Sequence, residues 1–126
     1  FLTKNLLIHW KEGERWFFDT LVDADIASNN VGWQWISGSG ADASPYFRIF
    51  NPILQGQKYD PNGDYVRKYI PSLVKIPNQF VHCPWRMNKV DQEKYNFIVG
   101  KDYPVPIVDL IDTRKKALNA FKNLSE

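Results

Sequence analysis

Cysteine and histidine are scarce in this chain: among 126 residues there is one cysteine, Cys83, and only two histidines, His9 and His82. A single thiol excludes an internal disulfide, and this ligand set offers no metal-binding spacing. Cys83 follows His82 directly, but neighbours in sequence need not face one another, and a lone buried thiol is inert. No Ser/His/Asp or Cys/His pairing marks a nucleophile. Long apolar runs are missing as well, and Lys4 to Ile8 lacks the apolar core and cleavage site of a signal peptide. The expectation is a soluble, cytoplasmic protein of a reducing compartment with no membrane partner. Charge of one sign is in short supply: 16 Lys and Arg against 14 Asp and Glu leave a net charge of +2. That is far from the basic stripe of a protein held to nucleic acid by phosphate contacts alone, so charge neither requires nor forbids a DNA partner. Gly38-Ser39-Gly40 follows a predicted helix rather than a strand, which removes the context of a phosphate-binding loop. Period-2 alternation, internal repeats and low-complexity segments are scarce or missing, and the class predicted is all-α.

The chain has the length of one ordinary domain. It starts at Phe1 rather than methionine, and Leu2, Leu6, Leu7 and Trp10 already recur at helical spacing. The expectation is a piece of a longer protein, with residues 2–10 as the end of one helix and Gly13 as the turn into another over Glu14 to Val22. Asp23 or Asp25 caps a third helix running to about Ile36, where Ser37-Gly38-Ser39-Gly40 breaks it into a loop. Asn51-Pro52 opens a short helix through Gln55. Asp60-Pro61-Asn62-Gly63 is a turn before a helix from Asp64 to Ile70, closed or kinked by Pro71. From Pro77 to Pro106 the spacing predicts a short helix near Val81 to Pro84 and otherwise loops. A final helix over Ile111 to Leu124 buries Ile111, Ala117, Leu118 and Phe121 and exposes Arg114, Lys115 and Lys122.

The most informative stretch is DADIASNNVGWQWISGSGADASPYFRIFNP, residues 23–52. Asp25, Asn29 and Trp33 follow at i, i+4 and i+8, which stacks a carboxylate, a carboxamide and an indole along one helix face. Asp23 and Asp25 fit an N-cap and its neighbour, and the indoles of Trp33 and Trp35 fit a packed core. The same stripe also fits a site for a flat polar heterocycle, with Asn29 as donor and acceptor and Trp33 as wall or electron source. Trp33 and Trp35 are two apart and serve different neighbours.

The segments LLIHWKEGERWF, DADIASNNVGWQW and SGSGADASPYFRIFNPILQGQKYDPNGDYVRKYIP, with DYPVPIVD further on, resemble the C-terminal part of the FAD-binding domain of the photolyase and cryptochrome family. Within it the likeness is to class I cyclobutane pyrimidine dimer photolyases, in order and spacing across essentially the whole chain. Cys83 departs from the family's pattern in the HxPW segment, as does the stretch from Arg86 to Val99. The resemblance implies that an N-terminal antenna domain and the first part of the helical domain precede this stretch in the whole protein. It also implies that the stretch alone binds FAD weakly or not at all.

The resemblance further implies roles. Asp23, Ala24 and Asp25 line the flavin, and Asn29 faces its N5, where plant cryptochromes carry aspartate and insect cryptochromes cysteine. Trp33 is the flavin-proximal member of an electron path and Trp10 the middle one, while Trp16 has no counterpart and is assigned to the core. Trp35 lines the lesion pocket. Gln55 contacts DNA, Lys58 lies near phosphate, and Arg48 serves either as a phosphate neighbour or in a structural salt bridge. The cofactors implied are reduced FAD and an antenna chromophore, folate or deazaflavin, bound outside this stretch. The partner is ultraviolet-damaged DNA, repaired by a monomer in a light-driven reaction; a cryptochrome-type photoreceptor is the alternative.

Overall fold

The computed structural model describes residues 1–42 and 47–123. Among them every regular element is helical, and an isolated bridge between Val99 and Tyr103 stands where a strand would be needed for any other class. The chain divides into two compact units, Phe1–Ile49 with Val108–Glu126, and Phe50–Ile107.

The first unit holds α1 (Trp10–Thr20), α2 (Ile26–Ser37) and α7 (Leu110–Asn123). Residues 2–10 do not end a helix: they form irregular turns, Leu7 takes a left-handed φ of 53°, and α1 begins only at Trp10. His9 caps it, its Nδ1 accepting from the Lys11 N–H at 3.3 Å. Gly13 is no turn either, because α1 runs straight through it and buries it. α2 ends where the sequence implies, with Gly38 in the left-handed conformation (φ 76°) that a helix C-terminus favours. α7 starts on Asp109, whose carboxylate accepts from the Asp112 and Ile111 N–H groups; these bonds hold it below the usual carboxylate range. Thr113 and Ala117 are buried on α7, and Leu118 is half-buried, but Ile111 and Phe121 are exposed, a correction to the expected face. Phe121 stacks on Phe47 with ring centres 4.2 Å apart, and Asn5 donates to the buried Thr113 hydroxyl at 3.1 Å. The expected helix end at Leu124 lies outside the described residues.

The second unit holds α3 (Pro52–Tyr59), α4 (Asp64–Tyr69), α5 (Asn78–Val81) and α6 (Lys89–Lys94), with 3-10 turns at Pro71–Leu73 and Pro84–Arg86. Asn51 caps α3 by accepting from the Ile53 and Leu54 N–H groups, and α3 outruns the expected end at Gln55 by a turn. Gly63 is required twice over: its φ is 71°, and a Cβ there would stand 2.7 Å from Val81. α6, capped by Asn88, stands where the sequence predicts loop; six residues carry too little apolar period to signal a helix. Its core joins Leu73, Ile76, Val81, Met87 and Phe97. His82 and Cys83 do face apart: the His82 ring meets the Asp60 carbonyl at 2.6 Å, while the Cys83 thiol turns to Gln79.

Phe97 is fully enclosed, so Phe97→Ala leaves a cavity and is expected to cost about 3–5 kcal/mol. Urea unfolding of the full-length protein checks this; a change under about 1 kcal/mol would show that this core does not carry the unit.

Candidate cofactor face on the α1–α2 pair

α2 reads Ile26–Ser37 without a single charged residue, yet none of its residues is buried. A helix without charge that leaves several large apolar side chains in the open carries surface suited to a partner. Here one side meets α1, while Ile26, Val31, Trp35 and Ile36 stay exposed. The open side is therefore built to be covered.

The start of α2 is set by Asp25, whose Oδ1 accepts from the Ser28 N–H at 2.7 Å. This bond holds the Asp25 carboxyl below its ordinary value of 3.8. Asp23 is exposed in the connection from α1, and Ala24 is half-buried beside it.

One turn on, the Asn29 side-chain amide donates to the Glu14 carbonyl at 2.8 Å. A carbonyl only accepts, so the NH₂ group must face Glu14 and Oδ1 must face away. No donor among the described residues meets that oxygen. Asn30 donates to the Glu14 carboxylate at 2.7 Å, and Gln34 donates to the Asn30 oxygen at 2.6 Å. Asn29 and Asn30 thus grip α1 through Glu14, with Gln34 bracing Asn30, and the sequence signal of Glu14 is only that of a helix start. Beside this grip opens a cleft of about 270 Å³ lined by Glu14, Arg15, Phe18, Asp19, Ile26 and Asn29.

Trp33 completes the predicted stripe. Its indole lies on the α1 backbone at Gly13 and meets the ring of Phe17 edge-on, with centres 5.0 Å apart. Trp10 stands three residues before Gly13, on the same face of α1, half-buried and stacked on His9 at 5.6 Å. The Trp33 indole and Trp10, for which the resemblance implies electron transfer, thus share one face of α1.

Gly32 also joins the open side. With 100° per residue, Asp25, Asn29, Gly32 and Ile36 fall within an arc of about 60° on α2. A Cβ at Gly32 would meet nothing within 4 Å. Glycine inside a helix costs about 1 kcal/mol relative to alanine, and no contact within the described residues accounts for it. An open oxygen, a bare stretch of backbone and flanking apolar side chains fit a flat, partly polar ring.

The remaining candidates lie elsewhere. Trp35 is 45% exposed on another side of α2, turned away from α1 as its spacing implies. Trp16, assigned to the core, is instead 65% exposed, because α1 buries only its Gly13 side. Arg48 is exposed and follows residues 43–46 of the SGSGADASPYF segment, which lie outside the described residues; its carbonyl accepts from Lys4 Nζ at 2.6 Å. Gln55 and Lys58 share a face of α3 in the second unit, with Lys58 Nζ 5.0 Å from the Tyr59 ring centre. Among the described residues no His/Cys/Asp/Glu cluster could hold a metal, and no helix is long and apolar enough to cross a membrane.

The geometry defines an all-helical unit that leaves one uncharged helix open beside a seated indole. The comparisons make that class specific: residues 1–123 match the FAD binding domain of DNA photolyase, and the chain belongs to that family. A deoxyribodipyrimidine photo-lyase of Agrobacterium fabrum is 56% identical over 121 residues, covering 96% of this chain and 25% of that protein. One from Alkalihalophilus pseudofirmus is 52% identical over 126 residues, covering 100% of this chain and 26% of that protein. Among solved structures, a bacterial class III photolyase from Agrobacterium tumefaciens superposes with a TM-score of 0.89 at 54% identity, covering 99% of this chain and 26% of that one. A Synechocystis cryptochrome does so at 0.87 and 37%, covering 94% and 24%. The chain therefore spans about a quarter of the length of the relatives it matches. The fold matches the all-α expectation, and the family matches the resemblance. The class I likeness stands beside a class III structure, so the assignment rests at the FAD-binding domain family of DNA photolyase.

Because Asp25 has a depressed pKa in the folded state, its contribution is present above the unfolded value near 3.8 and is lost as pH falls through the lower folded value. Asp25→Asn keeps the cap but cannot titrate, so its urea midpoint should be less acid-sensitive than that of the parent. Identical acid profiles would remove Asp25 as the cap of α2.

Proposed function

We propose that the whole protein containing this chain is a light-driven DNA repair enzyme that splits cyclobutane pyrimidine dimers, a carbon–carbon lyase, with reduced FAD held against the open side of α2. The observation that carries this reading is the pairing of an outward Asn29 oxygen with a Trp33 indole seated on α1 beside the Trp10 position. The upstream part of the helical domain and an antenna domain, with its folate or deazaflavin, belong to the same reading.

Asp23, Ala24, Asp25 and Asn29 would hold the cofactor. When bound, the excited reduced flavin supplies the electron that opens the cyclobutane ring and takes it back afterwards. Asn29 would offer an oxygen to accept from the ring N–H at N5, which favours the reduced form that carries that proton. Trp33 and Trp10 supply electrons when the cofactor has become oxidised. Trp35 offers an indole face to a base turned out of the duplex; stacking of this kind is worth ~1–3 kcal/mol. That gain offsets an unstacking cost of roughly a few kcal/mol, lower at a distorted lesion. Gln55, Lys58 and Arg48 contact the DNA strand, and the enzyme acts as a cytoplasmic monomer.

A cryptochrome-type photoreceptor is the second reading, favoured by the likeness to the Synechocystis cryptochrome. The full-length protein separates the two. Reduced without air, mixed with an ultraviolet-irradiated thymine oligonucleotide and illuminated, it is expected to restore the ultraviolet absorbance of thymine. No restoration, together with light-dependent change in the protein itself, would favour the photoreceptor.

Substituting either Trp10→Phe or Trp33→Phe should slow photoreduction of oxidised flavin while sparing repair by enzyme reduced beforehand. Photoreduction at the parent rate in both variants would contradict the electron path.

A further inference from the structure

Gly13 is the fourth residue of α1 and has an ordinary helical backbone, so a turn does not explain it. A glycine there gives up about 1 kcal/mol of helix propensity relative to alanine. The reason lies above it. A Cβ at residue 13 would stand 2.2 Å from Cη2, 2.5 Å from Cζ2 and 2.6 Å from Cζ3 of Trp33, so it is the six-membered ring of the indole that rests on the bare helix backbone. Ordinary contact begins at 3.4 Å; a methyl group at this position would force the ring back by about 1 Å, because packed interiors do not absorb overlap of that size.

We propose that Gly13 is a positioning residue for the electron path: it lets the Trp33 indole seat on α1, on the face that carries Trp10, with Phe17 bracing the ring from the following turn. The proposal rests on the reading that Trp33 and Trp10 reduce the flavin. In that reading Trp33 gives one electron to the photoexcited oxidised cofactor, Trp10 gives one electron to the Trp33 radical cation, and an added thiol returns the electron to the outer end of the path. Trp10, Gly13 and Phe17 lie at i, i+3 and i+7, within an arc of about 60° on α1. The seat therefore fixes Trp33 relative to Trp10 through one rigid element rather than through a loop. Asn29 is tied to the same element at the neighbouring residue, Glu14, so one turn of α1 sets both the indole and the carboxamide.

The test uses the full-length flavoprotein carrying Gly13→Ala. Flavin photoreduction in the presence of a thiol is expected to slow by about tenfold to a hundredfold, the range a misplacement near 1 Å can produce. FAD content and repair by enzyme reduced beforehand are expected to stay at the parent level, which a merely structural role would not allow. An independent readout comes from the FAD-free full-length protein labelled with 5-fluorotryptophan. The Trp33 fluorine resonance, identified by its loss in Trp33→Phe, is expected to shift in Gly13→Ala. Phe17→Leu leaves the α1 backbone untouched and loosens the brace, so it provides the same readouts should Gly13→Ala fail to fold; it is expected to slow photoreduction by a smaller factor.

Parent-rate photoreduction with an unmoved resonance overturns the proposal. So does loss of repair in step with photoreduction in both variants, which would make Gly13 and Phe17 residues of the fold alone. Failure of the underlying reading is separate: it shows as parent-rate photoreduction in Trp33→Phe itself.

Discussion

The contact between the Trp33 indole and the bare backbone of Gly13 is the constraint on which the rest of the site depends. Two helices joined by a short connection could approach one another in many registers. A large flat ring that fits only over a residue without a side chain leaves one. In that register the Glu14 carbonyl falls within reach of Asn29 and the Glu14 carboxylate within reach of Asn30. Phe17 then meets the indole edge-on, the geometry that aromatic quadrupoles favour.

The polar grip and the apolar seat do different work. Carboxamides paired with a carbonyl and a carboxylate cost little when satisfied, and they specify direction as a hydrocarbon contact cannot. Their effect on Asn29 is to spend its N–H on α1 and present its oxygen outward. An uncharged helix then presents an oxygen, a glycine gap and aliphatic flanks on its open side. That arrangement agrees with membership in the FAD-binding domain family of DNA photolyases, and it gives a physical reason for α2 to remain without charge over its length.

How much of this was legible in the sequence differs from residue to residue. The stripe of Asp25, Asn29 and Trp33 was visible from spacing alone, and the Asp25 cap and the Gly38 stop followed from local backbone chemistry. The all-α class followed from missing alternation. Gly13 was misread because glycine signals both a turn and a close approach, and only the partner across the gap distinguishes them. The N-terminal segment was misread because four apolar residues at helical spacing outweighed, on paper, a backbone that places Leu7 at positive φ. Trp16 reads as core only because the family's electron path offers it no counterpart, whereas α1 buries a single side. Asn30 and Gln34 give no signal at all, and Glu14 gives only that of a helix start: a hydrogen-bonded ladder between two helices has no period in either one. In the second unit, α6 was missed because its cap at Asn88 precedes only six residues.

The most direct measurement of the central claim is a structure of the full-length protein with FAD bound. The account predicts the flavin ring along the open side of α2, over Gly32, with Asn29 Oδ1 within about 2.7–3.2 Å of N5 and the Trp33 indole between the ring and α1. A flavin bound away from α2, or an Asn29 amide turned so that its nitrogen rather than its oxygen faces the ring, would contradict it.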